Sequence, residues 1–128
     1  MPKLTETYNI TRTAGSTISV FDVVNIPFPV KQVRIKCLAM TSTSPGNSQY
    51  ILTSSDIIDN KSMGLIWGDS ITSFNPYPNI DIVFNQSRQI FGQYSVTFRE
   101  LDQSLHTTPV GVTEWFCMIL EYTSDSDE

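Results

Sequence analysis

Residues 32 to 39 read Gln-Val-Arg-Ile-Lys-Cys-Leu-Ala. Val33, Ile35, Cys37 and Ala39 fall on one parity, and Gln32, Arg34 and Lys36 on the other. A period of two belongs to a β-strand with one face on a core and one in water, since successive side chains point to opposite sides. The same texture recurs along the chain. Tyr8 and Ile10 alternate with Thr7, Asn9 and Thr11; Ile80, Ile82 and Phe84 with Asp81, Val83 and Asn85; Tyr94, Val96 and Phe98 with Ser95, Thr97 and Arg99. Ile18, Val20, Val24 and Ile26 share a parity while Phe21 and Val23 take the other, so that strand is read as bulged or covered on both faces. Shorter runs begin at Tyr50 and Met63.

Composition agrees. Ile and Val together number 22, Ser and Thr 29, and Ala only two, Ala14 and Ala39. β-Branched side chains suit a pleated surface, whereas a helical chain would use more alanine and leucine. Pro27 and Pro29 break the chain before residue 32, because proline has no N–H to give a ladder. Residues 42 to 48 (STSPGNS) read as a turn-bearing loop, 68 to 79 (GDSITSFNPYPN) as a long irregular connection, and 102 to 111 as another loop. The run from Val112 to Tyr122 is apolar at nearly every position from Trp115 to Leu120. Such a strand is expected at the centre of its sheet with both faces covered, which places Trp115 and Leu120 in the core.

About eight strands in a 128-residue chain pack naturally as two antiparallel sheets. The expected fold is all-β: a two-sheet antiparallel β-sandwich, built as a single jelly roll, because its long connections suit crossings between sheets. The Cys…Trp…Cys spacing of an immunoglobulin domain is missing. One domain is expected over residues 1–122, followed by an acidic disordered tail over 123–128.

Charge narrows the partners. The net charge is −5, and Asp125, Asp127 and Glu128 supply three of the negative charges, leaving −5 + 3 = −2 on the body. The eight Lys and Arg are scattered. Nucleic-acid binding rests on clustered phosphate contacts, so neither direct nucleic-acid binding nor strong binding to anionic membrane is expected. The start, MPKLTETYNITR, has no apolar core of a signal peptide, and no apolar run approaches the ~18 residues of a span. A reducing, cytoplasmic setting outside any particle follows as the expectation. Cys37 and Cys117 are then read as buried free thiols, and the sequons at Asn9, Asn60 and Asn85 as accidents of composition.

No motif names a reaction. His106, the single histidine, sits in a polar loop and is read as solvated; a base there would need an orienter and a nucleophile. One histidine and two cysteines cannot build a zinc site of the usual kind. Asp56, Asp59 and Asn60 lack calcium-loop spacing and are read as a turn. Glu100 and Asp102 are read as an exposed strand end and not as an acid–base pair. No catalytic residue, metal or cofactor is therefore expected. The best surface candidate is the stretch 67–79, where Trp67, Phe74 and Tyr77 lie among prolines. Aromatics on a stiff loop offer large contact area at small entropic cost, although the same rings could instead plug one end of the sandwich.

The C-terminal portion adds a resemblance. NIDIVF (79–84) is followed by Phe91-Gly92-x-Tyr94-x-Val96-x-Phe98, an acidic turn, and the closing strand WFCMILEY (115–122). Over about a third of the chain this texture resembles small jelly-roll structural proteins in virions of large DNA viruses and their satellites, among them minor capsid and vertex components. The resemblance implies a non-enzymatic virion structural protein of minor capsid, vertex or cement type. It would act as a symmetric oligomer with copies of itself, by binding capsid shell proteins, or both. The alternative is a glycan- or receptor-binding β-sandwich using the 67–79 aromatic loop.

Overall fold

The computed structural model describes residues 2–13, 18–42, 49–69, 72–75, 78, 80–108 and 111–125. Among the described residues, nine strands carry the fold: β1 (Lys3–Arg12), β2 (Ile18–Val23), β3 (Val30–Ser42), β4 (Gln49–Ser55), β5 (Lys61–Asp69), β6 (Thr72–Asn75), β7 (Ile80–Arg88), β8 (Gly92–Arg99) and β9 (Glu114–Thr123). All the strand pairings described are antiparallel, and four of them nest. β1 pairs β9, β2 pairs β8, β3 pairs β7, and β4 pairs β5. The chain thus behaves as one long hairpin that is then rolled, with β3 joining β9 and β4 joining β8. The two sheets have strand orders β1-β9-β3-β7 and β2-β8-β4-β5. That connectivity is a jelly roll.

β6 lies inside the 68–79 segment read as irregular. It pairs β3 on one side and β5 on the other, so it seams the two sheets together at one end. The chain direction places the β1–β2, β3–β4, β5–β7 and β8–β9 connections at that end. The β2–β3, β4–β5 and β7–β8 connections lie at the other end, which is plugged by Ile57 and Ile58 of a 3₁₀ turn (Asp56–Ile58). The Ser55 hydroxyl accepts the Ile57 N–H at 3.2 Å and opens that turn.

The inner faces meet in one apolar core. Phe116, Met118, Leu120 and Tyr122 of β9 face it, as do Val33, Ile35, Leu38 and Met40 of β3. From the other sheet come Phe21, Val96, Phe98, Ile51 and Ile66. Phe98 meets Phe116 edge-on at 4.9 Å, and the Tyr8 and Tyr122 hydroxyls satisfy one another at 2.8 Å, with burial raising the pKa of both phenols. Gly64 (φ +122°) sits at a β4–β5 register shift, where an added Cβ would lie 3.4 Å from Ile80 Cδ1.

Two expectations from the sequence change here. β9 is central, between β1 and β3, but only its inner face is covered among the described residues; Trp115 on the outer face is 46% exposed. The alternation of residues 32 to 39 also breaks, because β3 shifts register between Ile35 and Cys37. Val33 and Ile35 face the core, then Leu38 and Met40 do, so Cys37 and Ala39 turn outward and are half-buried. The bulge inserts one residue and inverts the parity after it. β9 runs through Thr123, and the Ser124 N–H bonds the Pro2 carbonyl at 3.0 Å; residues 126–128 lie outside the described residues.

This packing sorts the last strand by face. Phe116→Ala or Leu120→Ala should cost about 2–5 kcal/mol in urea unfolding, as large side chains leaving a packed core. Trp115→Ala should cost less than about 1 kcal/mol in dilute solution. Equal losses at Trp115 and Leu120 would mean that the outer face is covered.

Candidate functional site

At the seamed end, the core gives way to a buried polar cluster. β1 ends on Arg12 and β9 begins on Glu114, and the two are direct cross-strand partners. Both face inward, since each shares the parity of its strand's core residues. A guanidinium out of water is tolerable only with its donors engaged. Arg12 Nε meets Glu114 Oε1 at 3.3 Å, Nη1 donates to Ser19 Oγ at 2.9 Å, and Nη2 donates to the His106 carbonyl at 2.8 Å. Its guanidinium also lies 4.5 Å from the centroid of the Phe98 ring. Burial lowers the Arg12 pKa and the Glu114 carboxylate raises it, the former prevailing; the group nevertheless remains a cation at any working pH.

The loop after β8 brings in the histidine. The Glu100 N–H bonds the Ser104 carbonyl and the Gln103 N–H bonds the Glu100 carbonyl, closing a tight turn that uses a positive φ at Gln103. The His106 N–H then bonds the Phe98 carbonyl at 2.8 Å, which swings the ring into the sandwich. His106 Nδ1 lies 2.8 Å from Glu100 Oε1, and Nε2 lies 2.9 Å from Glu114 Oε2. Thr108 Oγ1 donates to Glu114 Oε1 at 2.7 Å. His106 is thus buried and braced, where the sequence reading had it solvated: its partners stand six and eight residues away and become neighbours only once the loop folds.

Two carboxylates face the two ring nitrogens. A neutral imidazole has one N–H and one lone pair, so one nitrogen would point its lone pair at a carboxylate oxygen. The imidazolium satisfies both. Arg12 and His106 then balance Glu100 and Glu114, a net charge of 2 − 2 = 0. Burial alone would disfavour the cation, but the hydrogen bonds to Glu114 and Glu100 outweigh it and raise the His106 pKa. Burial likewise pushes the Glu114 pKa up, and His106, Thr108 and Arg12 more than reverse this, lowering it.

The members of this cluster clamp one another. The Thr108 hydroxyl is spent on Glu114, both His106 nitrogens are occupied, and of the four charged members only Glu100 is substantially exposed. No group of three or more His, Cys, Asp or Glu is placed to hold a metal among the described residues. Asp56 accepts the Ser95 N–H and Asp59 forms a two-pronged pair with Arg88, so the turn at 56–60 uses its carboxylates internally. Asp102 caps Ser104. A groove of about 500 Å³ between that turn and β7 is lined by Asp59, Lys61 and Arg88, with Arg88 stacked 3.7 Å over the Phe84 ring.

Of the sequence-predicted surface residues, Trp67 on β5 and Phe74 on β6 are direct backbone partners. Their side chains, and the whole of Tyr77, lie outside the described residues. Cys37 and Cys117 are free, but both are half-buried on the outer face of their sheet and not sealed in the core. Burial raises the Cys117 pKa. No described helix is long and apolar enough to cross a membrane.

No protein-family model matches the chain, and no curated protein sequence does. Among solved structures it is similar to the capsid asymmetric unit of cyanophage Pam1, at 7% identity and TM-score 0.41 over 95% of this chain and 85% of that one. It is also similar to the globular domain of zebrafish complement 1qA protein, at 8% identity and TM-score 0.35 over 93% and 96% of the two chains. A third likeness is to the disulfide-linked pili of Bacillus endospore appendages, at 14% identity and TM-score 0.35 over 94% and 88%. Likenesses this distant say nothing of function.

The clamp should show in pH dependence. A raised His106 pKa stabilises the fold fully below its unfolded value, roughly pH 6.5, and that contribution is lost as pH rises through the folded value. A lowered Glu114 pKa stabilises above roughly pH 4.5 and is lost as pH falls through its folded value. The cluster is therefore strongest between these limits. Urea unfolding from pH 5 to 9 should lose stability on the alkaline side more steeply in the parent than in His106→Gln, and the variant should be weaker near pH 6. Matching alkaline slopes would mean that the ring is not protonated in the folded state.

Proposed function

We propose that this chain is a non-enzymatic structural subunit of a virion, a minor capsid, vertex or cement-type component that works by self-association or by binding shell proteins. The observation behind the reading is the contrast between interior and surface. The buried polar groups of the clamp are consumed by one another, whereas large apolar side chains stand outside. Val24 is 87% exposed and Phe91 61%, and the register of β2 on β8 brings them side by side at the end opposite the clamp. Jelly rolls serve capsids, lectins and small-molecule binding folds alike, so the fold permits the reading without dictating it. The C-terminal texture that resembles virion jelly rolls points to the first of these.

The 67–79 segment is the proposed contact region. Within it, β6 pairs with β3 on one side and β5 on the other at the seamed end, which supports the reading. Particle mass should be measured by native mass spectrometry or ultracentrifugation, alone and with candidate shell proteins. A symmetric oligomer or a complex with a shell protein is the expected outcome. Replacing Trp67, Phe74 and Tyr77 by Ser should weaken that association, with circular dichroism confirming that the variant stays folded. A folded triple variant that associates as well as the parent would remove the segment as an interface. A strict monomer that binds a defined sugar would replace the assembly reading with the glycan-binding one.

A further inference from the structure

The outer face of the β1-β9-β3-β7 sheet is laid out in cross-strand rows. One row is Thr11–Trp115–Thr41 and the next is Asn9–Cys117–Ala39. A third, Thr7–Ile119–Cys37, completes a patch with no charged residue. Beyond it, Lys36 pairs with Glu121 at 3.5 Å and Arg34 with Asp81 at 2.6 Å, while Lys3 stands at the far end of β1. On a chain of net charge −5, such a neutral block is unusual ground.

The patch has relief. Trp115 stands out from it, 46% exposed. Beside the indole lies a groove of about 190 Å³, which Ala39, Cys117 and Asn9 keep shallow because they are shorter than tryptophan. A cavity of roughly 150 Å³ already takes a benzene ring, so this one has room for an aromatic edge. Knob and groove therefore share a border and lie one row apart, about 6.8 Å along a strand.

We infer that this face docks a second copy of the same chain about a two-fold axis that lies parallel to the sheet in the interface plane, each Trp115 entering the other's groove over Ala39 and Cys117. Two features favour a copy over another occupant. In an isologous contact a residue and its target exchange places across the axis, and a knob adjoining its own groove meets that condition. Two copies also share the same charge, so they can approach closely only through a face where like charges do not meet, and this one offers none. A strongly charged partner would find nothing here to pair with. The patch is smaller than the roughly 20–30 residues a side of a standard interface, so the pair is weak, in the micromolar range. The inference rests on the assembly reading for its biological use and on this face alone for its structure.

The test is sedimentation of the full chain over a range of concentrations, paired with the rate of maleimide labelling at Cys117. A monomer–dimer equilibrium is expected, with labelling slowed as dimer accumulates. Trp115→Lys, which sets a cation on each side of the axis, and Ala39→Leu, which fills the groove, should each raise the dissociation constant about tenfold or more with unchanged circular dichroism. Because Phe74 is the backbone partner of Ala39 and borders this face, the loop is tested here by Tyr77→Ser alone, which should leave this dimer intact. A parent that stays monomeric at every concentration would overturn the inference, as would a dimer indifferent to both face variants. If the dimer is instead lost only in the loop variant, the face is wrong and the assembly reading survives. If the face variants break the dimer but no shell protein or higher assembly is found, the face stands and the virion reading falls.

Discussion

The first sheet is built around β9, a strand far in sequence from its partners. β9 lies between β1 and β3, so β1 has no neighbour in its sheet, and β3 has only β6 and β7, until residue 114 and beyond arrive. Loop closure over such separations has to be met before the contacts return anything, which makes the topology non-local and its folding slow for its size. Register is then the critical choice. A slip of one residue would turn Phe116, Met118, Leu120 and Tyr122 to solvent and bring Trp115, Cys117 and Ile119 inward. The hydrophobic penalty is partial, because both sides of the strand are largely apolar.

Arg12 and Glu114 remove that ambiguity. In the observed register each buried charge meets the other, and His106 and Thr108 complete the set. In a slipped register Arg12 would be buried without its carboxylate, a loss on the order of 3–5 kcal/mol. Replacing such a cluster by apolar groups often leaves stability unchanged, so its value lies in selecting one pairing more than in adding stability. It also draws the loop of residues 100–108 down onto the sandwich, closing the end where the chain has most connections.

The legible part of this fold was the alternation, and the alternation misled where a local backbone event intervened. Strands were readable from Ile80, Ile82 and Phe84 or from Val96 and Phe98, because one face is buried and the other is not. In β3 a single inserted residue after Ile35 reversed the faces, so Cys37 and Ala39 were assigned inward although Leu38 and Met40 are the core residues. β6 escaped notice since four residues beside prolines carry no periodicity. Trp115 was placed in the core by hydrophobicity alone, which cannot tell a covered second face from an exposed apolar one. The clamp was illegible for another reason: Arg12 and His106 are 94 residues apart, and nothing local to either marks the other. A carboxylate opening an otherwise apolar strand, Glu114, was the one available hint.

These placements bear on how far the molecule can assemble. The clamp turns its donors and acceptors on one another, so under the assembly reading proposed above the contacts are made by other surfaces. A single isologous face, such as the neutral block around Trp115, closes on itself and ends at a pair. A ring, vertex or lattice needs a second contact that is not self-cancelling. The seamed end can supply it, because β6 carries the chain there from β3 to β5, with Phe74 as the backbone partner of Ala39 at the border of the Trp115 face. The core-facing side of β9 lies between the two regions, and the Arg12–Glu114 pair holds it in one register. A change that loosens this pair would disturb the end and the face together. A change of an outward side chain on either surface leaves the pair, and so the register of β9, in place, and each contact can then be tuned without refolding the chain.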